Sequence, residues 1–144
     1  MSIEHRENPP QRELIVTTVD LSKGWDTESM RDILIERLKE LGIYQPNLLF
    51  RGFDGNKIEV IKQHGTDIPD DTVIFCSTEG QLVDEYAMEE SALDFSLGQE
   101  KAGLAVYDGA RLFKDSSKYG SGYEYQPKKG TSFKEALLAV LILE

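Results

Sequence analysis

Two short apolar stretches decide how the fold of this chain is interpreted: Leu48-Leu49-Phe50-Arg51-Gly52 and Ala136-Leu137-Leu138-Ala139-Val140-Leu141-Ile142-Leu143. Short continuous apolar runs bounded by glycine or polar residues are typical of buried strands. The first stretch predicts a strand over 48–50 that ends at Arg51 and Gly52. The second predicts a strand in its later half, because the run is short and contains β-branched residues.

The segments around these stretches predict alternating helices and strands. Residues 14–19 are rich in β-branched side chains and predict a strand, and Asp26 or Thr27 then caps a helix that Gly42 ends. Further predicted elements are a short helix over 55–63, strands over 72–77 and 103–107, an acidic helix over 79–90, a mostly irregular stretch over 111–129 and a short strand at Glu124. Strands that come late, without strict alternation, favour an α+β fold with a small mixed sheet and short helices.

Length and composition predict one domain. The chain has 144 residues, of which 40% are hydrophobic and 29% charged. A chain of this size can bury a sizeable core, and the composition is neither low-complexity nor typical of disorder. The polar residues 1–12, with a Pro-Pro pair, predict a flexible tail, so we expect the single α+β domain to cover residues 13–144.

Charge and cysteine content narrow the class of function. The formal net charge is -10, which opposes general binding to nucleic acid or to anionic membranes. A single cysteine, Cys76, rules out an intramolecular disulfide, and the longest apolar run falls far short of the ~18 residues that a membrane helix needs. We therefore expect a cytoplasmic protein without a membrane partner.

Several chemistries have no support in the sequence. Zinc-type Cys/His spacing and a phosphate-cradling glycine loop are both absent, so no metal is predicted. Cys76 lies within a predicted strand without a neighbouring histidine, and a small core residue is the better interpretation than a nucleophile.

Arg51 is the most specific candidate for a ligand-binding residue. A guanidinium at the end of a buried strand can grip a phosphate or carboxylate with two parallel hydrogen bonds, and Gly52 would let a ligand approach the backbone. The competing interpretation is a structural ion pair with the acidic helix over 79–90, and the residues alone favour that alternative.

Ser77 and Glu124 are the other polar candidates. Ser77 ends a predicted strand, where its hydroxyl can support a ribose or a strand edge, while Thr78 more simply caps the next helix. Glu124 lies between two tyrosines, and a carboxylate there can bind ribose hydroxyls and stabilise a developing sugar cation. An exposed glutamate on an edge strand is the competing interpretation.

In their order, these segments resemble the ADP-ribosyltransferase fold, most closely its poly(ADP-ribose) polymerase and diphtheria-toxin-like branch. The resemblance covers residues 48–144. Leu48-Leu49-Phe50-Arg51-Gly52 is similar to the first site strand of this branch. The strand that ends at Ser77, together with the helix that contains Tyr86, is similar to its second segment. Glu124 and the apolar strand after it are similar to its glutamate strand and its closing strand. Arg51 replaces the histidine of this branch, as in the arginine-serine-glutamate branch, but that branch's Ser-Thr-Ser run and paired glutamate are incomplete here.

The resemblance implies NAD as substrate and no metal. It implies that Arg51 and Gly52 bind the pyrophosphate or adenosine ribose, that Ser77 and Tyr86 complete the cofactor-binding set, and that catalytic Glu124 stabilises the oxocarbenium ion as nicotinamide leaves. We then expect Arg51, Ser77 and Glu124 to line one cleft. The acceptor is open between a protein side chain, a nucleic-acid end and water.

A different class of function remains as the alternative. In it the chain is a non-catalytic acidic protein-binding module, either a decayed ADP-ribosyltransferase or another α+β fold, whose acidic residues over 79–100 contact a basic partner.

Overall fold

A computed structural model describes residues 13–83, 91–115 and 124–144, and it places their strands in a five-stranded and a three-stranded sheet. The strands are β1 Ile15–Val19, β2 Leu48–Asp54, β3 Ile74–Phe75, β4 Ser77–Thr78, β5 Ala102–Asp108, β6 Leu112–Lys114, β7 Glu124–Pro127 and β8 Leu137–Leu143. The α-helices are α1 Thr27–Glu40, α2 Ile58–His64, α3 Ala92–Leu97 and α4 Phe133–Ala136, with 3₁₀ turns at Gly55–Lys57 and Gly109–Arg111. This mixture of strands and short helices confirms the α+β class.

The larger sheet has the strand order β1-β8-β5-β2-β4. Its first pair, β1 and β8, is parallel, whereas β5 pairs antiparallel with both β8 and β2. The apolar stretch at the end of the chain supplies β8, because a strand with neighbours on both sides and cores on both faces needs a continuous apolar run. The prediction of a strand there is confirmed, and α4 directly precedes it.

Two hydrophobic cores cover the two faces of this sheet. Alternate residues of β2 divide between them, since successive side chains of a strand point to opposite faces. Leu48 and Phe50 belong to the core shared with α1 and α3. Leu49 and Phe53 belong to the other core, which also holds side chains of α2, α4 and the smaller sheet. The second core therefore lies between the two sheets.

The longest helix begins and ends as the sequence predicts. Asp26 caps α1 by accepting a hydrogen bond from the Ser29 amide, and Ser29 in turn accepts one from the Asp26 amide. Gly42 follows the helix with a φ of 75°, a left-handed conformation that glycine adopts at little cost. The buried face of the helix is Leu34, Ile35 and Leu38.

The smaller sheet has the strand order β3-β7-β6, and one segment joins it to the larger sheet. Within 74–78, β3 pairs with β7 of the smaller sheet, whereas β4 pairs with β2 of the larger one. Cys76 lies between these two strands and is buried. The segment therefore forms a seam at which the two sheets meet.

Four predictions of local structure are corrected by these elements. Strand β2 continues to Asp54, so Arg51 lies inside a strand rather than at its end, because Gly52 and Phe53 pair with β5. The predicted strand over 72–77 divides at Cys76, and the stretch over 111–129 contains β6 as well as β7. Residues 79–83 form a turn, and the remainder of the predicted helix, 84–90, lies outside the described residues, as does the predicted tail over 1–12. Among the helices of the described ranges, none has the length and apolar character to cross a bilayer.

Candidate functional site

Arg51 lies in the core between the two sheets and is fully engaged there. Its Nε donates to Oδ1 of Asp67 at 2.7 Å, and its Nη2 lies 3.4 Å from Oδ2 of the same carboxylate. Its Nη1 donates to the carbonyl oxygen of Phe75 at 3.2 Å. The side chains of Arg51 and Asp67 are only 14% and 16% exposed, so little water competes with these contacts.

The electrostatic environment keeps Arg51 charged. Burial by itself lowers the pKa of the guanidinium, but the hydrogen bond and the negative charge of Asp67 outweigh burial and raise the pKa above its usual value. The structural ion pair considered from the sequence therefore exists with a different partner. The sequence favoured the acidic residues of 79–90, whereas the structure shows Asp67, near the beginning of the loop that follows α2.

Glu124 opens β7 and is completely buried. It pairs across the smaller sheet with Phe75, whose carbonyl accepts the hydrogen bond from Arg51. Because Ile74 and Tyr125 face the core between the sheets, the side chain of Glu124 lies on the opposite face of the smaller sheet. The complete burial of Glu124 excludes the competing interpretation of an exposed edge residue.

Ser77 points away from Arg51. It pairs directly with Phe50, and directly paired residues share a face, so Ser77 faces the core of α1 and α3 while Arg51 faces the opposite core. Its hydroxyl oxygen accepts a hydrogen bond from the Ala92 amide at 3.0 Å. The contact satisfies one of the unpaired amides at the beginning of α3.

Gly52 allows α3 to pack closely against β2. A Cβ at this position would lie 2.4 Å from the Ala92 carbonyl oxygen and 3.0 Å from the Ser96 amide nitrogen. A glycine is therefore needed for β2 and α3 to approach this closely. The space beside Gly52 that a ligand was expected to use is filled by α3.

The candidate residues thus separate into two groups. Gly52 and Ser77 lie against α3, whereas Arg51 and Glu124 are both linked to Phe75. The side chains of Arg51 and Glu124 do not meet: Arg51 lies in the core between the sheets, and Glu124 lies on the opposite face of the smaller sheet, because Ile74 and Tyr125 face that core. Tyr86 lies outside the described residues. Of the strands that carry the four described candidates, β2 and β4 are neighbours in the larger sheet, and β7 belongs to the smaller sheet.

Three buried groups beside Arg51 were not assigned to the site from the sequence. Asp67 lies in a polar turn whose composition is typical of any acidic loop, and no sequence signal marks its partner. Tyr107 donates from its hydroxyl to the Gly65 carbonyl at 2.6 Å, and burial raises its pKa above the usual range. Burial also raises the pKa of the Cys76 thiol to about 12, against a lowering effect of the Arg51 charge, so the thiol is neutral and suited to a core position.

A surface depression lies along α1, which packs on the other face of the larger sheet from Arg51. It measures about 360 Å³ and is bordered by Arg31, Asp32, Ile35, Glu36, Lys39, Tyr44 and Glu79. Tyr44 is fixed there, because its hydroxyl donates to Glu79 at 2.7 Å and the Lys39 ammonium lies 5.2 Å from its ring centre. Charges of both signs border this depression, so it favours no ligand class.

Comparison of the chain with protein-family models, with curated proteins and with solved structures finds no match.

Proposed function

We propose that this chain binds NAD at the seam between its two sheets and catalyses ADP-ribosyl transfer or NAD hydrolysis there. The observation that supports the proposal most is the shared link to Phe75, whose carbonyl oxygen accepts a hydrogen bond from Arg51 and which is the strand partner of Glu124. A buried cation and a buried glutamate in one small domain are costly to fold, and such groups concentrate at functional sites. The resemblance to ADP-ribosyltransferases concerns these same two residues.

The two residues would divide the chemistry between them. Arg51 would bind the pyrophosphate, since the guanidinium presents two parallel donors that match two phosphate oxygens. Glu124 would accept a hydrogen bond from the nicotinamide ribose and stabilise the oxocarbenium ion that forms when the glycosidic bond breaks. The acceptor is water in NAD hydrolysis, and a protein side chain or a nucleic-acid end in ADP-ribosyl transfer.

The contributions of Gly52, Ser77 and Tyr86 stay predictions within this proposal. Gly52 and Ser77 already support α3, so they would act by holding that helix, unless it shifts when NAD binds.

The second candidate is the non-catalytic acidic protein-binding module. The ion pair between Arg51 and Asp67 favours it, because the carboxylate already neutralises the cation that NAD would need. A fold that has lost its activity would retain such an ion pair purely for stability.

Calorimetric titration with NAD, together with an assay for released nicotinamide, separates these candidates. We expect binding by the wild type, and binding weakened about 10- to 100-fold in Arg51→Ala, because a charge-assisted hydrogen bond contributes roughly 1.5–3 kcal/mol. Arg37→Ala is the matched control, since Arg37 is an exposed arginine of α1.

The outcomes of this titration are distinct. Binding without nicotinamide release would identify a decayed enzyme that still recognises the nucleotide. If millimolar NAD gives neither heat nor a shift in Tm, the NAD proposal is wrong and the protein-binding module stands.

A further inference from the structure

The Asp67 carboxylate occupies Arg51 in the geometry that a phosphate group would use. Its two oxygens lie 2.7 and 3.4 Å from Nε and Nη2 of the guanidinium. Two oxygens facing two adjacent nitrogens is the arrangement in which arginine binds both carboxylate and phosphate. The third contact, from Nη1 to the Phe75 carbonyl, holds the guanidinium in place from the other side.

We propose that Asp67 is a built-in substitute anion, which leaves Arg51 when a pyrophosphate group takes its place. The inference rests on the proposed function and adds a gate to it. Arg51 would then be prepared for a doubly charged phosphate ligand while its buried charge stays neutralised in the empty protein.

The two partners differ in their freedom to move. Arg51 lies within a seven-residue strand and pairs with Ala105 of β5, so its backbone is fixed. Asp67 lies in the loop between α2 and β3, in which Pro69, Asp70 and Asp71 are exposed. The proposed exchange therefore pairs a fixed cation with a carboxylate on a loop whose following residues are exposed.

The backbone beside Asp67 is held, which restricts the motion to its side chain. The Gly65 carbonyl accepts the buried Tyr107 hydroxyl at 2.6 Å, and Thr66 is buried. The Ile68 amide lies 3.4 Å from the Thr66 hydroxyl oxygen. The loop consequently keeps its position when the carboxylate turns outward.

The Arg51 cation keeps an anionic partner when pyrophosphate replaces Asp67. Removing Asp67 without replacement leaves a cation that is poorly solvated, which is strongly unfavourable. Replacement by pyrophosphate restores the same two hydrogen bonds with an anion of higher charge, and the released carboxylate gains water. Competition from Asp67 lowers the apparent affinity for the ligand, because only the fraction with an open Arg51 binds.

Asp67→Asn tests the proposal with inorganic pyrophosphate as the probe. Asparagine keeps the shape of the side chain but removes its charge, so we expect the Tm of Asp67→Asn to fall and to recover as pyrophosphate is added. A comparable Tm shift in the wild type should need at least 10-fold more pyrophosphate. Asp70→Asn is the matched control, because it removes the same charge from an exposed position of the same loop.

Two outcomes would overturn the gate. One is an Asp67→Asn protein that responds to pyrophosphate no more strongly than Asp70→Asn. The other is an unchanged response in Arg51→Ala/Asp67→Asn, since that response would come from another site. If Asp67→Asn does not fold, the Arg51 Nε–H resonance of the wild type carries the test: it should shift in pyrophosphate, and a resonance that stays fixed contradicts the exchange.

Titration of the same variants with NAD separates this proposal from the proposed function. A pyrophosphate response without NAD binding by any variant upholds the exchange and identifies a different phosphate ligand. NAD binding of equal strength in the wild type and Asp67→Asn upholds the proposed function and contradicts the gate.

Discussion

Arg51 reaches from the larger sheet to the carbonyl oxygen of Phe75 in the smaller one, at 3.2 Å from its Nη1. Because Phe75 pairs with Glu124, this hydrogen bond connects the buried cation to the strand of the buried carboxylate. The two sheets are joined here by a polar contact within an apolar core, where side chains of Ile74 and Leu49 pack nearby. Such contacts define a unique arrangement of neighbouring strands.

Loss of Arg51 should strongly destabilise the protein. Arg51→Ala leaves Asp67 and the Phe75 carbonyl without their donor in a poorly hydrated site, so we expect the free energy of unfolding to fall by about 3 kcal/mol. Urea denaturation measures the change. Arg37→Ala removes an exposed arginine near Glu40 and should cost less than about 1 kcal/mol. Equal losses in the two variants would contradict the structural importance of the Arg51 contacts.

Two glycines with the same backbone conformation should tolerate alanine very differently. Gly65 and Gly130 have φ values of 86° and 85°. A Cβ at Gly130 meets nothing within 4 Å, whereas one at Gly65 would lie 2.2 Å from the Lys134 amide nitrogen. Gly130→Ala should cost about 1 kcal/mol from backbone strain alone. Gly65→Ala should cost roughly 3 kcal/mol or more, because α4 must also be displaced.

Thermal unfolding of the two glycine variants at equal concentration gives the comparison. The larger decrease in Tm should belong to Gly65→Ala. Equal decreases would mean that α4 does not pack against the end of α2 as described.

The stability of the protein should decrease in alkaline solution through Cys76. Burial raises the thiol pKa from 9.0 to about 12, so the unfolded chain loses this proton first as the pH rises. The contribution is fully present below about pH 9 and disappears as the pH approaches 12, at up to ~1.4 kcal/mol per pH unit. Tm measured from pH 8 to 11 should fall more steeply for the wild type than for Cys76→Ala.

A thiol reagent supplies an independent check on Cys76. The buried, neutral thiol should react at pH 8 only after unfolding in denaturant. Rapid reaction of the native protein would show that the seam is open to solvent.

Sequence patterns determined the elements but not their partners. Strand β1, helix α1 and strand β5 follow from β-branched runs, an Asp26 cap and apolar periodicity, all of which are local signals. The division of the segment over 74–78 between two sheets depends on pairing with β2 and β7, which are far away in sequence. The strand β6 was missed because its three residues lie in a charged, glycine-containing stretch.

The residues of the candidate site could likewise be chosen from local sequence patterns, whereas their orientations and partners depend on residues far away in the chain. Arg51 stands out in the sequence because a cation follows three apolar residues, and Glu124 because aromatic residues flank it. The orientation of Ser77 is set by its register opposite Phe50, which a one-residue shift would reverse. The partner Asp67 could not be chosen from the sequence, because the chain has 26 acidic residues and many of them lie in polar loops.

Ser77→Ala distinguishes support of α3 from direct contact with NAD. The substitution removes the oxygen that accepts the Ala92 amide, so we expect a loss of about 1–2 kcal/mol in the free energy of unfolding. Ser132→Ala is the matched control, because it removes the N-terminal cap of another short helix, α4. A role in stability alone predicts unchanged NAD affinity at temperatures well below the Tm, whereas a stable Ser77→Ala protein with weakened NAD binding would assign Ser77 to the cofactor.

Glu124→Gln should separate NAD binding from NAD cleavage. Glutamine keeps the shape of the side chain and most ground-state contacts, but it lacks the negative charge that stabilises the sugar cation in the transition state. We expect kcat for nicotinamide release to fall 100-fold or more, since removal of one electrostatic stabiliser typically has an effect of this size. NAD affinity measured by calorimetry should change less than about 10-fold. Glu135→Gln, at an exposed position of α4, is the matched control and should leave both quantities unchanged. If Glu124→Gln folds normally and releases nicotinamide at the wild-type rate, Glu124 is not the catalytic residue.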